Sequence, residues 1–131
     1  EGWTIIQRRM DGSVNFNRTW DEYKHGFGDL RGELWLGLEK LHLMMKFQPH
    51  ELYIQIMDFR NEKRFARFSN FAIGNEAQSY ELLNVGEYTG NAGDALSHHK
   101  NMKFSTPERD NDKAPYNCAS RYASGWWFNE C

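Results

Sequence analysis

The alternation of apolar and polar positions predicts four strands within the first 85 residues. It is clearest at residues 51–59, where Leu52, Ile54 and Ile56 alternate with the residues between them. Turn-forming segments such as Arg60-Asn61-Glu62 separate the strands. Strands that follow one another through turns predict an antiparallel meander. The predicted strands cover residues 3–9, 51–59, about 64–73 and about 79–85.

Two amphipathic helices are predicted to pack against this sheet. The first opens at a capping box, with Thr19 as N-cap and Glu22 at the third helical position, and Gly26 and Gly28 end it. The second begins at residue 34 and ends at Gln48-Pro49, because its apolar residues recur at helical spacing. Those residues are Leu34, Leu38, Leu41 and Met45. A central antiparallel sheet packed by two helices is an α+β domain.

The sequence pattern predicts little helix or strand after residue 85. The stretch GEYTGNAGDAL, residues 86–96, is rich in glycine and in residues that favour tight turns. A long loop-rich segment inside a compact domain is unusual unless it is functional or cross-linked. We therefore expect one domain over residues 1–131, with the sheet and helices in 1–85 and a loop-rich functional segment in 86–131.

Composition and charge limit the classes of molecule that the chain is expected to bind. The chain has 131 residues, about one domain, and a formal net charge of -2. This charge gives no electrostatic reason to expect a nucleic acid or an anionic membrane as partner. No apolar run reaches membrane-spanning length, so membrane insertion is not expected.

Two aspartates separated by one residue, Asp110 and Asp112, are the first candidate for chemistry. An Asp-x-Asp loop presents hard carboxylate oxygens to one cation, and backbone carbonyls downstream can complete the shell, which favours Ca²⁺. The alternative is a solvated acidic turn, which is the commoner meaning of a bare Asp-x-Asp. The loop is not an EF-hand, because Pro115 stands at the glycine position and Arg121 at the position of the bidentate glutamate.

The two cysteines, Cys118 and Cys131, admit a disulfide, two metal thiolates or two free thiols. A zinc site would require further cysteines or histidines at ligand spacing, and His98-His99 is not a convincing second pair of zinc ligands. The disulfide is favoured, and it predicts an oxidising compartment and a secreted, extracellular protein. The sequon Asn17-Arg18-Thr19 agrees with secretion and makes Asn17 a candidate glycosylation site.

Enzymatic activity is not expected. The sequence contains no G-x-S-x-G elbow, no H-E-x-x-H helix and no P-loop. Cysteines that are oxidised to a disulfide are unavailable as nucleophiles, and the histidines are scattered or lie in a polar loop.

The most specific signal is a series of long motifs that covers nearly all 131 residues. They are GWTIIQRRMDGSVNFNRTWDEYKHGFGDLRGELWLGLEKLHL, NEAQSYEL, YTGNAGDAL, MKFST, DND, NC and GWWFNEC. Together they resemble a fibrinogen-related (fibrinogen C-terminal-like) domain, as found in fibrinogen chains, ficolins, tachylectins, tenascins and angiopoietin-like proteins. The resemblance implies that fold, here in partial form, because the family domain extends beyond both ends of these 131 residues.

The resemblance also implies a site. Calcium would be held by the carboxylates of Asp110 and Asp112 and by the backbone carbonyls of Ala114 and Tyr116. Tyr116 departs from the family, in which glycine is frequent there, and Pro107 and Glu108 replace the usual aromatic residue and aspartate. A family disulfide falls on Cys118 and Cys131, and a cis peptide bond in several members would correspond to Glu130-Cys131. The expected ligand-pocket wall is Trp127, Asn129, Glu130 and Cys131.

Two functions follow from the resemblance. The first is calcium-supported, lectin-like recognition of acetylated carbohydrates or pathogen-surface glycans in innate immunity, as in ficolins and tachylectins. The alternative is a protein–protein signalling or assembly module that binds a cell-surface receptor, as in angiopoietin-like or fibrinogen members. In either case the full-length protein is expected to be a homo-oligomer.

Overall fold

A computed structural model describes residues 2–131, which form short helices and strands joined by ordered loops. The strands are β1 Gln7–Arg8, β2 Phe27–Gly28, β3 Leu34–Trp35, β4 Leu52–Met57, β5 Lys63–Phe68, β6 Ala72–Ile73, β7 Leu82–Asn84 and β8 Tyr88–Gly90. The α-helices are α1 Trp20–His25, α2 Leu38–Phe47 and α3 Cys118–Tyr122. Single 3₁₀ turns lie at Glu76–Gln78 and Ser97–His99.

Within residues 2–131 the strands form three small sheets, and every strand pair is antiparallel. Their orders are β1-β3-β2, β4-β5-β8 and β6-β7. The α+β class is confirmed, with its strands divided among these sheets. The third strand of the central sheet is β8, which lies in the stretch predicted to be a loop. β8 pairs with β5 because the chain first makes the separate β6-β7 hairpin and then returns.

Helix α1 begins and ends as its sequence predicts. Thr19 Oγ1 accepts a hydrogen bond from the N–H of Glu22 at 3.2 Å, and the Glu22 carboxylate accepts one from the N–H of Thr19 at 3.2 Å. These reciprocal bonds satisfy two N–H groups that have no partner within the helix. Gly26 ends the helix with a φ of 98°, and a side chain there would collide with the carbonyl of Leu36.

Four predicted elements are longer than the ones that the structure forms. The second helix begins at Leu38, because Gly37, with a φ of 118°, turns the chain after strand β3. The strand predicted at 64–73 is interrupted after Phe68, where the N–H of Phe71 donates to the carbonyl of His50 at 2.8 Å. In each case a tertiary hydrogen bond or a turn overrides the local apolar pattern. Within the strands predicted at 3–9 and 79–85, the regular parts are Gln7–Arg8 and Leu82–Asn84.

An aromatic core joins the first helix to the last quarter of the chain. The Tyr23 hydroxyl donates to the carbonyl of Phe16 and accepts from the N–H of Gly125 at 3.0 Å. Tyr23 is 1 % exposed, so burial raises the pKa of its hydroxyl and keeps it neutral. The indole N–H of Trp35 donates to the Tyr23 carbonyl at 2.8 Å. The loop-rich segment is therefore held by the same core as the sheets.

One buried carboxylate, Glu33, organises the N-terminal turn. Its Oε2 accepts from the N–H groups of Met10 at 2.6 Å, Asp11 at 3.0 Å and Gly12 at 3.0 Å, and its Oε1 accepts from Val14 at 3.0 Å. These backbone donors, led by Met10, lower the pKa of the carboxyl to about 2. The sequence pattern gave no indication of this role.

No helix within residues 2–131 has the length and apolar character needed to cross a bilayer.

Candidate functional site

The Asp110–Asp112 loop follows a short turn that leaves the core after two fully buried residues, Ser105 and Thr106. Ser105 forms a two-way backbone bridge with Trp126, at 2.8 and 3.1 Å. Between the aspartates, Asn111 turns inward: its N–H donates to Ser105 Oγ at 2.9 Å, and its side-chain amide donates to the carbonyl of Phe104 at 2.8 Å. Asn111 therefore anchors the loop to the core, with Asp110 exposed on one side of it and Asp112 half-buried on the other.

The two carboxylates lie close together. The Asp110 carboxylate accepts the N–H of Asp112 at 3.1 Å, and Asp112 accepts the N–H groups of Ala114 at 2.9 Å and Cys118 at 3.0 Å. Burial raises the pKa of the Asp112 carboxyl, and the neighbouring Asp110 carboxylate raises it further, against the lowering effect of the Cys118 N–H. A bound cation would reverse this effect, because it stabilises both negative charges.

The donor set fits a hard cation that uses backbone oxygens. Within residues 2–131 no group of three or more His, Cys, Asp and Glu side chains could hold a metal ion, so carboxylates alone are insufficient. No hydrogen bond among these residues is made to the carbonyl oxygens of Ala114 or Tyr116. Carboxylate and backbone carbonyl oxygens are the ligands that Ca²⁺ prefers in proteins, so these four residues carry the kind of oxygen that such a site would use.

A disulfide closes the segment that follows the loop. Cys118 and Cys131 are joined, with their Cα atoms 5.7 Å apart. Cys118 and Ala119 are buried at the start of α3 and form a small apolar cluster with Phe128. Asn117 caps α3, because its side-chain oxygen accepts the N–H of Ser120 at 3.0 Å. The disulfide and the cap together fix the backbone on one side of the aspartates.

Glu108 ties the other side of the loop to helix α1. Both of its carboxylate oxygens accept the N–H of Trp20, at 3.0 and 3.1 Å, and one also accepts the Thr106 hydroxyl. The guanidinium of Arg109 lies 4.2 Å above the Trp20 ring. The sequence comparison marked Glu108 as a departure from the family pattern without giving it a role. A carboxylate beside a helix N-terminus is a recognisable pattern, but Glu108 and Trp20 are 88 positions apart in the sequence. Sequence alone therefore does not show that they meet.

Exposed Tyr and Arg side chains border the loop. Tyr116 and Tyr122 are both largely exposed. The guanidinium of Arg121 lies 5.0 Å from the Tyr116 ring centroid and 5.9 Å from that of Tyr122. Stacked Tyr and Arg side chains on a surface are typical of the residues that contribute most to protein–protein binding.

The predicted pocket wall does not form as a unit. Trp127 is 2 % exposed and lies in the core, where its indole N–H donates to the carbonyl of Tyr80 at 2.7 Å. This placement corrects its expected role as a ligand contact. Asn129 instead bonds the His98 carbonyl through its amide at 2.8 Å, while Glu130 and Cys131 are exposed.

The expected cis bond at Glu130-Cys131 is also wrong for this structure. Every peptide bond within residues 2–131 is trans. A non-proline cis bond costs about 3 kcal/mol and persists only where surrounding contacts enforce it.

Asn17 lies on the surface, and its sequon threonine serves as the N-cap of α1. Glycosylation of Asn17 stays a prediction.

Comparisons with a family model, with curated proteins and with solved structures agree on one family. The whole chain, residues 1–131, matches the family model described as fibrinogen beta and gamma chains, C-terminal globular domain. Fibrinogen-like protein 1 of Bos taurus is 47 % identical over 144 aligned residues, which include 99 % of this chain and 46 % of that protein. The chain thus spans less than half the length of this relative.

Solved structures agree with this assignment. The fibrinogen-like globe domain of human ANGPTL6 superposes with a TM-score of 0.97 at 45 % identity, covering 99 % of this chain and 58 % of that one. A lamprey fibrin D-dimer, complexed with the peptide ligand Gly-His-Arg-Pro-amide, superposes with a TM-score of 0.92 at 41 % identity, covering 99 % of this chain and 46 % of that one.

Proposed function

Because the chain belongs to the fibrinogen C-terminal globular domain family, we propose that it is an extracellular protein-interaction module that binds a protein or peptide on another molecule. The observation that carries this proposal is the exposed Tyr116–Arg121–Tyr122 group beside the aspartate loop. The peptide ligand of the lamprey relative supports it. The disulfide supports a location outside the cell, where such bonds persist.

Calcium is the proposed cofactor of this module. Asp110 and Asp112 would supply carboxylates, and Ala114 and Tyr116 would supply backbone carbonyls. When bound, the ion neutralises two adjacent negative charges and orders the backbone that carries Tyr116. An ordered loop loses less conformational entropy when it binds a partner.

Calcium binding predicts a change in stability that is easy to measure. At a free Ca²⁺ concentration 100 times the dissociation constant, the free energy of unfolding should rise by about 2.7 kcal/mol. Thermal melting of the oxidised chain in Ca²⁺ and in EGTA measures this effect. The double substitution Asp110→Asn and Asp112→Asn should abolish it.

The matched control replaces two exposed aspartates of α1 and the following turn, Asp21→Asn and Asp29→Asn, which changes the net charge by the same amount. This control should keep the full calcium response. An equal response in the Asp110/Asp112 variant would rule out the proposed ligands.

Lectin-like binding of acetylated glycans is the competing function, and a cell-binding experiment separates the two. The biotinylated chain, tetramerised on labelled streptavidin, is applied to a panel of cultured animal cells in Ca²⁺. A protein partner predicts that protease treatment of the cells abolishes binding and that free N-acetylglucosamine does not compete. Competition by N-acetylglucosamine, with retention on acetylated resin, would support the lectin and contradict the proposal.

Arg121 provides the variant that locates the binding surface. Arg121→Ala removes a guanidinium shared by two exposed rings, so binding should weaken about tenfold or more. The matched control is Arg31→Ala, another exposed arginine distant from residue 121 in sequence. Equal binding by both variants would show that the Tyr116–Arg121–Tyr122 group is not the contact surface.

A further inference from the structure

The turn Thr106–Arg109 closes the base of the calcium loop, residues 110–116, which carries the proposed ligands. The first and last residues of the turn exchange two backbone hydrogen bonds, at 3.0 and 2.9 Å. The side-chain amide of Asn117, directly after the loop, donates to the carbonyl of Pro107 within the turn at 2.9 Å. The loop begins directly after the turn and ends beside it, so this turn holds both of its ends.

Glu108 connects the turn to helix α1. Its two carboxylate oxygens accept the backbone N–H of Trp20, at 3.0 and 3.1 Å. Trp20 is the first residue of α1, so this N–H has no partner within the helix. The oxygen of Glu108 that lies 3.0 Å from the Trp20 nitrogen also accepts the hydroxyl of Thr106. One exposed side chain therefore joins the base of the calcium loop to a helix 88 positions away in the sequence.

The anchor on α1 is itself fixed. Trp20 is 4 % exposed, and its indole N–H donates to the carboxylate of Glu76 at 2.9 Å. The guanidinium of Arg109 lies over the Trp20 ring. Glu108 and Arg109 thus contact the same buried residue from consecutive positions, directly before Asp110. These two contacts limit the orientations that are open to the backbone at Asp110.

An anchor of this kind is important for a loop that brings like charges together. The Asp110 carboxylate accepts the N–H of Asp112, and the two carboxylates repel each other when no cation lies between them. This repulsion favours opening of the loop, and the contacts of the turn oppose it. Residues that orient metal ligands without touching the metal typically change metal affinity by about 10- to 100-fold when they are removed.

We propose that Glu108 is a positioning residue for the calcium loop: by tying the base of the loop to Trp20, it holds the loop in the conformation that binds Ca²⁺. This inference rests on the proposed calcium site. Glu108 is not assigned as a ligand, because its oxygens are engaged by Trp20 and Thr106. Its side chain is exposed, so its removal leaves no cavity in the core.

Two substitutions separate the hydrogen bonds of Glu108 from its charge. Glu108→Ala removes both, and the dissociation constant for Ca²⁺ should rise about tenfold or more. Glu108→Gln removes the charge but keeps an oxygen that can accept both Trp20 and Thr106. Its dissociation constant should stay within about threefold of the wild-type value, because an exposed charge contributes little. Isothermal titration calorimetry of the oxidised chain measures all three constants. Equal losses in the two variants, or no loss in Glu108→Ala, would overturn the proposal.

Glu22→Ala is the matched control. It also removes one negative charge, and it breaks the capping box at the start of the same helix. Within residues 2–131 the hydrogen bonds of the Glu22 side chain go to Thr19 and Arg18 rather than to the turn. This variant should melt below the wild type in EGTA and bind Ca²⁺ with unchanged affinity. A loss of affinity equal to that of Glu108→Ala would show that destabilised α1 explains both results, which contradicts a positioning role.

Hydrogen exchange in EGTA tests the anchor independently of the ion. The amides of Trp20 and Asn111 should exchange faster in Glu108→Ala than in the wild type, because the first loses its acceptor and the second lies in the released loop. Unchanged exchange of the Asn111 amide would overturn the proposal whether or not calcium binds. A wild type that binds no Ca²⁺ would contradict the proposed cofactor, and faster exchange in Glu108→Ala would then still support Glu108 as the anchor of the loop.

Thr106→Val is the second test if Glu108→Ala does not fold. Valine has nearly the shape of threonine, so this variant removes only the hydroxyl that Glu108 accepts. Calcium binding should weaken about fivefold, as expected for the loss of one hydrogen bond that orients the carboxylate. An unchanged dissociation constant in folded Thr106→Val would contradict the proposal.

Discussion

Trp127→Ala is expected to lower the free energy of unfolding by about 3 to 5 kcal/mol, because it empties the centre of the aromatic core. The indole packs edge-on against the ring of Phe104 at 5.1 Å and against that of Phe71 at 6.0 Å. Truncation would also leave the buried carbonyl of Tyr80 without its donor. Urea denaturation followed by tryptophan fluorescence and circular dichroism measures the loss.

The neighbouring tryptophan is the matched control. Trp126 is only partly buried and borders an apolar groove beside β4, so Trp126→Ala removes the same side chain at a much smaller cost. Trp127→Phe should fall between the wild type and Trp127→Ala, since it keeps a ring and loses the hydrogen bond. An average substitution lowers the free energy of unfolding by about 1 kcal/mol. A smaller loss for Trp127→Ala would contradict a core position for Trp127 and favour the ligand-pocket wall.

Glu33→Gln is the second substitution with a large expected effect. The change keeps the shape of the side chain but replaces a carboxylate oxygen, which accepts three backbone N–H groups, with either a neutral oxygen or an NH₂ donor. A buried donor facing other donors is strongly unfavourable, and the variant should melt well below the wild type. The turn at Asp11-Gly12 should also lose its protection from hydrogen exchange.

The same carboxylate predicts a pH dependence. The folded-state pKa of Glu33 is about 2, below its ordinary value of 4.5. Its contribution is therefore complete above about pH 4.5 and is lost as pH falls toward 2, because the unfolded chain then binds a proton that the folded chain does not. The wild type should lose stability over this range, and Glu33→Gln should lose less. Thermal melts from pH 7 to pH 2 measure the difference.

Glu87→Gln, at an exposed position, serves as the control for the Glu33 experiment. It should melt like the wild type and show the same loss of stability in acid. Parallel acid profiles for the wild type and Glu33→Gln would contradict a role for this carboxylate in the native turn.

Parts of the fold and of the candidate site are predictable from the sequence because they are local. The capping box at Thr19 and Glu22 spans four residues, and its bonds form wherever that segment is helical. The Asp110 and Asp112 pair is likewise set by spacing in a turn. The cysteine pair was favoured as a disulfide by elimination and matched the family pattern, and the structure joins it.

Other parts depend on contacts between distant positions. Periodicity cannot distinguish Trp126 from its neighbour Trp127, yet one borders a surface groove and the other is in the core. Asn111 is a residue type that favours turns, but its inward bonds to Phe104 and Ser105 require the loop to lie on the folded core. Glu108 likewise acquires its role only when α1 is brought beside it.

The sequence by itself determined the α+β class, the family and the loop that carries the candidate calcium ligands, because these rest on motifs and on short-range backbone preferences. The tertiary structure alone decided which strands pair, which tryptophan is buried and where Glu33 finds its donors. The physical reason is that burial and strand pairing are set by free-energy differences between long-range arrangements, in which residues about 20 to 100 positions apart compete for the same partners.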